Sequence, residues 1–265
     1  MYQAIHYDVK KSKMHLWDDQ KGYLVVPYHK YAYVKHSNGQ HVSLYGDRLK
    51  RVTNYDKDDP TLHESDVPPV TRFLVDNYGD SDEVSVGHRT MFFDIEVEVT
   101  DGFPDIEKAQ NPITSIALYD STTQKYFTYC FDPKQRIKNY TKDDEIVEFY
   151  DTEYEMLNKF YQKYLEIRPT IISGWNSDFF DIPYLYNRAV RVLGPEVANL
   201  LSPISEVIYS EYKKKHTIAG VSSLDYLSLY RNFSFTQQSS YRLDYIGEVE
   251  VGMKKIEYQG TLNDL

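Results

Sequence analysis

Cysteine and long apolar runs are scarce in this chain of 265 residues. The single cysteine, Cys130, cannot form an internal disulfide, and no group of cysteines and histidines has zinc-site spacing. No apolar run approaches the roughly 20 residues that a membrane-spanning helix needs, and the N-terminus lacks the apolar core of a signal peptide. We therefore expect a protein of a reducing, cytoplasmic compartment that is neither secreted nor membrane-spanning.

Positive charge is also in deficit, since 30 Lys and Arg residues face 40 Asp and Glu residues, for a net charge of −10. Because phosphate contacts normally come from Lys and Arg, this balance predicts weak affinity for nucleic acid. The strongest local basic patch is Lys213–His216, for which a solvated loop is the favoured interpretation and contact with a strand backbone the alternative. Some of the 26 tyrosines could stack on bases, although most are expected to pack.

Two carboxylates, Asp94 and Glu96, occupy alternate positions of a predicted strand and therefore project from the same face. The opposite face would be apolar, with Phe93, Ile95 and Val97. Magnesium is usually held by one or two protein carboxylates, with water and phosphate completing its shell, so this pair could form half of a cation site. The alternative is an ordinary strand with a solvated acidic face.

A third carboxylate, Asp181, precedes an apolar-periodic run that begins at Ile182 and Pro183. A third ligand would allow two metal ions to act on one phosphodiester. Asp181 also has the form of a helix cap, and that interpretation needs no catalytic role. The two are compatible, because a helix N-terminus would keep the carboxylate ionised and available as a ligand.

Together, these segments resemble the first two exonuclease motifs of family B DNA polymerases, most closely the replicative polymerases of large tailed bacteriophages. Asp94-Ile95-Glu96 matches the first motif, and Asn176, Phe180 and Asp181 match the second. Further similarity lies in Arg168–Trp175 and Gly220–Tyr230, so the resemblance covers roughly residues 90 to 258.

The resemblance implies a 3′-to-5′ proofreading exonuclease with two Mg²⁺ ions, for which Mn²⁺ could substitute. It assigns Asp94, Glu96 and Asp181 to catalysis and metal binding. It assigns Asn176 and Phe180 to the substrate strand, while structural roles in a turn and in the core stay open for both. The implied partners are single-stranded or frayed primer-terminus DNA, the remainder of a polymerase and, as a further possibility, a sliding clamp, but no membrane. The implied location is the cytoplasm of a phage-infected bacterial cell or the host cytosol.

One departure from the family pattern concerns the third motif, a tyrosine and an aspartate separated by three residues. Tyr241 and Asp244 have the wrong spacing, and nothing from Tyr245 to Leu265 supplies the motif. The palm motifs of a polymerase are absent as well. We therefore expect the amino-terminal third or so of a polymerase, unable to polymerise DNA, whose exonuclease domain is C-terminally incomplete and weak or inactive alone.

Two other functions stay open. A free-standing ribonuclease-H-like nuclease acting on RNA or DNA would have to take its fourth carboxylate from residues such as Asp244 or Asp264. A non-catalytic nucleic-acid-binding or assembly module would leave the acidic residues merely solvated.

The predicted fold class is α/β, with a ribonuclease-H-like (DnaQ-like) exonuclease domain at residues 89–265 after a small mainly-β domain at residues 1–88. Short strands without a long helical period are predicted for the first 76 or so residues, and the boundary lies between the acidic stretch Asp76–Glu83 and Arg89. The second domain is predicted as three strands, a helix, a strand and a helix. After the motif strand these are Ile113–Tyr119, Tyr126–Phe131, a helix opened by a capping box at Thr152 and ended by Pro169, Thr170–Ser173, and a helix from about Ile182 to Gly194.

Overall fold

A computed structural model of the chain describes residues 1–99, 102–134, 136–254 and 256. The chain forms two compact units, Met1–Gly87 and His88–Leu265, within which most contacts between Cα atoms fall. The assignment of the two predicted domains and their bounds stays a prediction. None of the helices in the described ranges is both long and apolar enough to cross a bilayer.

The first unit is rich in antiparallel sheet. Three strands pair in the order β1-β2-β3, and four pair in the order β5-β6-β4-β7. A small core of Met14, Leu16, Tyr28 and Phe73 lies beneath the three-stranded sheet. The strands are β1 (Tyr2–Asp8), β2 (Lys13–Asp18), β3 (Gly22–Pro27), β4 (Ala32–Lys35), β5 (His41–Val42), β6 (Arg48–Val52) and β7 (Leu62–His63).

A helix, α1 (Pro69–Tyr78), corrects the expectation that the first 76 residues contain strands alone. Proline suits the first helical position because its missing N–H has no helical partner there. Phe73 is the buried residue of α1, and its ring packs against Tyr28 at 5.6 Å between centroids. The apolar residues Val70, Phe73 and Tyr78 recur at helical spacing, but the helix has only 10 residues, so its stability depends on this contact with the sheet.

The second unit is built on a mixed seven-stranded sheet with the order β11-β12-β10-β9-β8-β13-β16. Strands β8, β9 and β10 are antiparallel neighbours, β12 is parallel to β10, and β13 is parallel to β8. The strands predicted around residues 94, 116 and 128 are confirmed. The ranges are β8 (Thr90–Val97), β9 (Ile113–Asp120), β10 (Lys125–Phe131), β11 (Tyr140–Lys142), β12 (Glu145–Tyr150), β13 (Ile171–Ser173) and β16 (Ser222–Ser223).

Strands β11 and β12 were missing from the predicted order of elements. Only Val147 is buried in β12, and β11 is exposed throughout, so neither carries a strong apolar alternation. Their position is decided by pairing: β12 lies along β10 from Tyr126 to Phe131. The prediction of three strands before the first helix was therefore incomplete.

The predicted capping box and its helix are confirmed in α2 (Glu153–Ile167). The Thr152 hydroxyl accepts the N–H of Glu155 at 3.2 Å and donates to the Glu155 carboxylate at 3.0 Å. The helix ends at Arg168, which has a left-handed conformation (φ 47°) just before Pro169. The apolar residues that recur at helical spacing are all buried, namely Met156, Leu157, Phe160, Tyr161 and Tyr164.

The helix predicted from about Ile182 is α3, which begins one residue earlier and ends before Gly194 (φ 90°). The buried residues of α2 and α3 form one core with the apolar face of β8. The unit is completed by a hairpin, short helices and a 3-10 turn. The ranges are α3 (Asp181–Val192), α4 (Pro195–Ala198), the 3-10 turn Asn199–Leu201, β14 (Val207–Ser210), β15 (Lys215–Ile218), α5 (Tyr226–Phe233) and α6 (Leu243–Val251). The chain is thus of mixed α/β type with a sheet-rich N-terminal region.

Candidate active site

Strand β8 presents Asp94 and Glu96 on one face, and the predicted alternation is confirmed. Asp94 is exposed and Glu96 half-buried. The residues of the opposite face are all buried in the core shared with α2 and α3: Met91, Phe93, Ile95 and Val97. The apolar face therefore fixes the rotation of the strand, and the two carboxylates must point away from the core.

The neighbouring strand β13 is short and leaves the far end of β8 open. Its parallel pairing with β8 ends where Ser173 meets Phe92. Three residues further along β8, the N–H of Ile95 donates to Asp181 Oδ1 at 3.1 Å. Because Ile95 stands between Asp94 and Glu96, this bond brings the third predicted carboxylate to the strand segment that carries the other two.

The loop that joins β13 to α3 passes unusually close to β8 at Gly174. A Cβ atom at this position would lie 2.6 Å from the carbonyl oxygen of Phe93. The carbonyl of Gly174 also accepts the N–H of Tyr226 at 2.9 Å. Glycine is therefore required for the approach of the second motif to the strand of the first.

The position of α3 is fixed further along the helix by a buried ion pair that the sequence analysis did not identify. Arg188 donates from Nε to Glu153 Oε1 at 2.8 Å and from Nη2 to Glu153 Oε2 at 2.6 Å. The N–H of Ile113 donates to the same carboxylate at 2.8 Å. This bidentate ion pair connects α3 to α2 and β9, and it therefore fixes the position of the helix whose first residue is Asp181.

Asp181 is buried, with 3% of its surface exposed. Burial raises the pKa of Asp181 to about 7, the negative charges of Asp94 and Glu96 add to the rise, and the bond from the Ile95 N–H opposes it. Asp181 is the first residue of α3 rather than its cap, which is Phe180. The expected effect of the helix dipole, a carboxylate kept ionised, is therefore outweighed by desolvation and by neighbouring charge.

The donors gathered here are carboxylate oxygens, which suit a hard cation such as Mg²⁺ better than a soft one. A cation would also relieve the repulsion that raises the pKa of Asp181. In the described ranges, however, no group of three or more His, Cys, Asp or Glu side chains is arranged so that it could hold a metal ion. The three-carboxylate metal site thus stays a prediction.

Asn176 and Phe180 both have structural roles. They are the two residues predicted to contact substrate. Asn176 has φ of 65°, and its carbonyl accepts the N–H groups of Phe179 and Phe180 in the turn before α3. Asparagine tolerates this left-handed conformation better than most residues. Phe180 is half-buried and stacks on Tyr184 at 5.7 Å between ring centroids. Their contact with a substrate strand stays a prediction.

Asp178, only three residues before Asp181, lies in a different environment. Lys215 Nζ donates to Asp178 Oδ2 at 2.7 Å, and the Ser223 hydroxyl donates to Oδ1. Asp225 caps α5 by accepting the N–H of Ser228 at 2.9 Å, and it also accepts the N–H of Asp178 at 3.0 Å. These hydrogen bonds connect the loop between β13 and α3 to β15, β16 and the start of α5.

The basic run Lys213–His216 is therefore not a uniform solvated loop. Lys213 and Lys214 are exposed in the turn between β14 and β15, where Lys214 pairs with Glu211 at 2.8 Å. Lys215 turns inward to Asp178, and His216 is buried, which lowers its pKa. Strand β15, which was not predicted, begins at Lys215, so Lys213 and Lys214 lie in the turn whereas Lys215 and His216 lie in the strand.

Comparison with known proteins agrees with the two motifs. The sequence model of one family, described as the exonuclease domain of DNA polymerase family B, matches residues 80–246. The chain belongs to this family. The DNA-directed DNA polymerase of Escherichia phage RB69 is 35% identical over 225 residues, which are 73% of this chain and 24% of that enzyme. The enzyme of Enterobacteria phage T4 is 33% identical over 198 residues, 64% of this chain and 22% of its own length. DNA polymerase 1 of Sulfurisphaera ohwakuensis is 29% identical over 216 residues, 77% of this chain and 21% of its own length.

This family B exonuclease chain spans about a quarter of the length of its phage relatives. The rival nuclease function needs a fourth carboxylate from Asp244 or Asp264. Asp244 lies in the first turn of α6 and belongs to no metal-holding group within the part of the chain that the structure describes. Asp264 lies outside the described residues. Nothing in the described ranges therefore favours the free-standing nuclease.

Proposed function

We propose that this chain carries the 3′-to-5′ proofreading exonuclease of a family B DNA polymerase. The observation that carries the proposal is the hydrogen bond from the Ile95 N–H to Asp181, which joins the two exonuclease motifs at one strand. The ribonuclease-H-like (DnaQ-like) fold is part of the proposal. It is supported by antiparallel β8, β9 and β10 followed by α2, the parallel strand β13 and α3.

In the proposed site, Asp94 would bind two Mg²⁺ ions, Glu96 would hold one of them, and Asp181 would serve the other, partly through water. Mn²⁺ is expected to substitute. Bound ions of this kind stabilise the attacking and leaving oxygens of a phosphodiester displacement. Glu96 would also orient the water that attacks the terminal phosphodiester. Its hydrolysis releases a nucleoside monophosphate and leaves a strand one nucleotide shorter.

The protonation of Asp181 sets a condition on this chemistry. With a pKa of about 7, the metal-free carboxyl is protonated in half of the molecules near neutral pH. Only the ionised form is a strong ligand, so cation binding below that pH must release a proton. The affinity for Mn²⁺ is therefore expected to rise with pH up to about 7 and to level off above it.

The substrate in this proposal is single-stranded DNA or the frayed end of a primer. The remainder of the polymerase and a sliding clamp are proposed partners, and the cytoplasm of an infected bacterial cell is the proposed location. Activity of this chain by itself is proposed to be weak, because Asp94, Glu96 and Asp181 are the only carboxylates assigned to the site and the third family motif was not found in the sequence.

The test follows a 5′-labelled single-stranded oligonucleotide with Mg²⁺ or Mn²⁺ and the chain in excess. We expect stepwise shortening from the 3′ end, reduced at least about a thousandfold by Asp94→Ala, a loss of roughly 4 kcal/mol in transition-state stabilisation. Glu145→Ala, an exposed carboxylate on β12, is the matched control and should change nothing. Mn²⁺ binding is measured on the same proteins and should be lost with Asp94→Ala.

Shortening that survives Asp94→Ala, or that starts at the 5′ end, would contradict the proposed site. Mn²⁺ binding at Asp94 without any shortening would support the metal site and contradict an exonuclease that functions within this chain alone.

A further inference from the structure

A pocket adjoins Glu96 on the open face of the sheet. Its floor is a row of residues in register across four strands: Glu96 faces Ser115, Ser115 faces Cys130, and Cys130 faces Phe149. All four line a cavity of about 250 Å³. Because Glu96 belongs both to this row and to the proposed catalytic group, the cavity opens beside the place where the phosphodiester would react.

The wall of the pocket opposite Glu96 carries the ion pair Asp132–Arg136, which holds the guanidinium in position. Asp132 is buried, with 3% of its surface exposed, and accepts Arg136 Nε at 3.0 Å and the N–H of Arg136 at 2.6 Å. This contact uses one of the five guanidinium N–H groups. The Arg136 side chain is 45% exposed, so part of its guanidinium group faces solvent at the edge of the pocket.

Between these charges the lining is mostly apolar. Phe149 and Ile137 provide aromatic and aliphatic surface, and Thr114 and Ser115 provide hydroxyls. The side chain of Phe131 packs against the core on the other face of the sheet. The cavity is slightly below the range of roughly 300–1,000 Å³ that is usual for small-molecule sites, so it suits one small unit rather than an extended ligand. A matching ligand has an anionic group for Arg136, a flat body for the aromatic wall and a polar end toward Glu96.

We propose that this pocket binds one nucleotide unit, with its phosphate on Arg136 and its base against Phe149. The inference rests on the proposed exonuclease function, which supplies such units at Glu96. The unit belongs either to the DNA strand or to the nucleoside monophosphate that hydrolysis releases. Arg136 is then a positioning residue that selects where the strand or product lies relative to the carboxylates.

The chain contains a built-in probe for this pocket, since Cys130 is its single cysteine and is half-buried in the floor. Burial, assisted by Asp132, raises the pKa of the Cys130 thiol to about 11, so alkylation at neutral pH is slow and easily timed. The experiment follows alkylation of Cys130 in the Asp94→Asn chain, in which the proposed site should not consume the added DNA. The two ligands added are a short single-stranded oligonucleotide and free deoxyadenosine monophosphate.

We expect at least one of the two ligands to slow alkylation about tenfold at saturation. Arg136→Gln should raise about tenfold the ligand concentration that gives half-maximal protection. Because one phosphate contact is lost, the slope of log affinity against log salt concentration should decrease by about 1. Arg191→Gln, an exposed arginine of α3 outside the pocket, is the control and should have no effect. Ser115→Leu, which fills the floor without touching the Asp132–Arg136 pair, should abolish protection while thermal unfolding shows a folded chain.

Protection by the oligonucleotide alone would assign the pocket to the strand, and protection by the monophosphate as well would assign it to the product. Unprotected Cys130 with both ligands, or protection unchanged by Arg136→Gln and Ser115→Leu, would overturn the inference. If the wild-type chain shortens DNA while Cys130 stays unprotected, the proposed nucleotide binding in the pocket is wrong and the proposed exonuclease function stands. Protection without any shortening would retain the pocket and count against the proposed function.

Discussion

Two buried aspartates on one short segment have opposite surroundings. Asp178 and Asp181 are exposed to 5% and 3%. Asp178 meets the ammonium of Lys215 and the hydroxyl of Ser223, whereas the charges that act on Asp181 are those of Asp94 and Glu96. A buried carboxylate that has its own cation serves the fold, while one that faces other carboxylates is held in an unfavourable state that a metal ion would relieve. The sign of the neighbouring charge, rather than burial, distinguishes the two.

The largest expected effect concerns the pH dependence of stability. The pKa of Asp181 is about 7 in the folded chain against an ordinary value of 3.8. Between these values the folded chain keeps a proton that the unfolded chain releases, so the free energy of unfolding falls as pH rises and levels off above about 7. Asp181→Asn should remove this loss. In urea titrations with EDTA, the variant should gain about 3 kcal/mol relative to wild type between pH 5 and pH 8.

Asp178→Asn is the comparison for that experiment. Because the charge beside Asp178 is a cation, this substitution should lower the free energy of unfolding rather than raise it. A gain in both variants would show that burial alone governs the two sites.

The second effect concerns stabilisation by a divalent ion. A ligand that binds only the folded chain at one hundred times its dissociation constant raises the free energy of unfolding by about 2.7 kcal/mol. Mn²⁺ should produce this gain in the wild type and in Asp178→Asn but not in Asp94→Asn or Asp181→Asn. Calorimetric thermal unfolding with and without Mn²⁺ measures it. A full gain in Asp181→Asn would remove Asp181 from the metal site.

The third effect is the loss of the Lys215 contact. Removing one partner of a buried ion pair costs several kcal/mol, but Lys215 is 30% exposed and can partly regain water, so Asp178→Asn should cost about 2 kcal/mol at pH 7. Lys215→Met in the same chain should recover part of the loss, because the uncompensated charge is gone. Urea unfolding of both single variants and the double variant gives the coupling. Additive losses would mean that the pair contributes no coupling.

The smallest effect lies away from both aspartates. Thr152→Ala removes the cap of α2 and should lower the free energy of unfolding by about 1 kcal/mol. Binding of Mn²⁺ should be unchanged, as measured by titration. A parallel loss of Mn²⁺ affinity would mean that the site responds to general stability rather than to the local arrangement of carboxylates.

Strongly periodic or capped segments were predictable. The alternation in β8, the capping box of α2 and the start of α3 near Asp181 were each confirmed within about one residue. Segments stabilised mainly by partners distant in sequence were not. Strand β12 has a weak apolar alternation, and the inward turn of Lys215 was hidden in a run of lysines.

By itself, the sequence determined that Asp94 and Glu96 share one face of β8 and where α2 and α3 begin, and it predicted which residues carry the chemistry. Side-chain period, helix caps and motif matches depend on residues close together in the chain. Only the tertiary structure decided that Asp181 meets β8 and that Asp178 does not. The bond from Ile95 to Asp181 spans 86 residues, and the one from Lys215 to Asp178 spans 37. Such contacts depend on sheet order, on the close pass at Gly174 and on the sign of charges brought together by folding, none of which a local pattern contains.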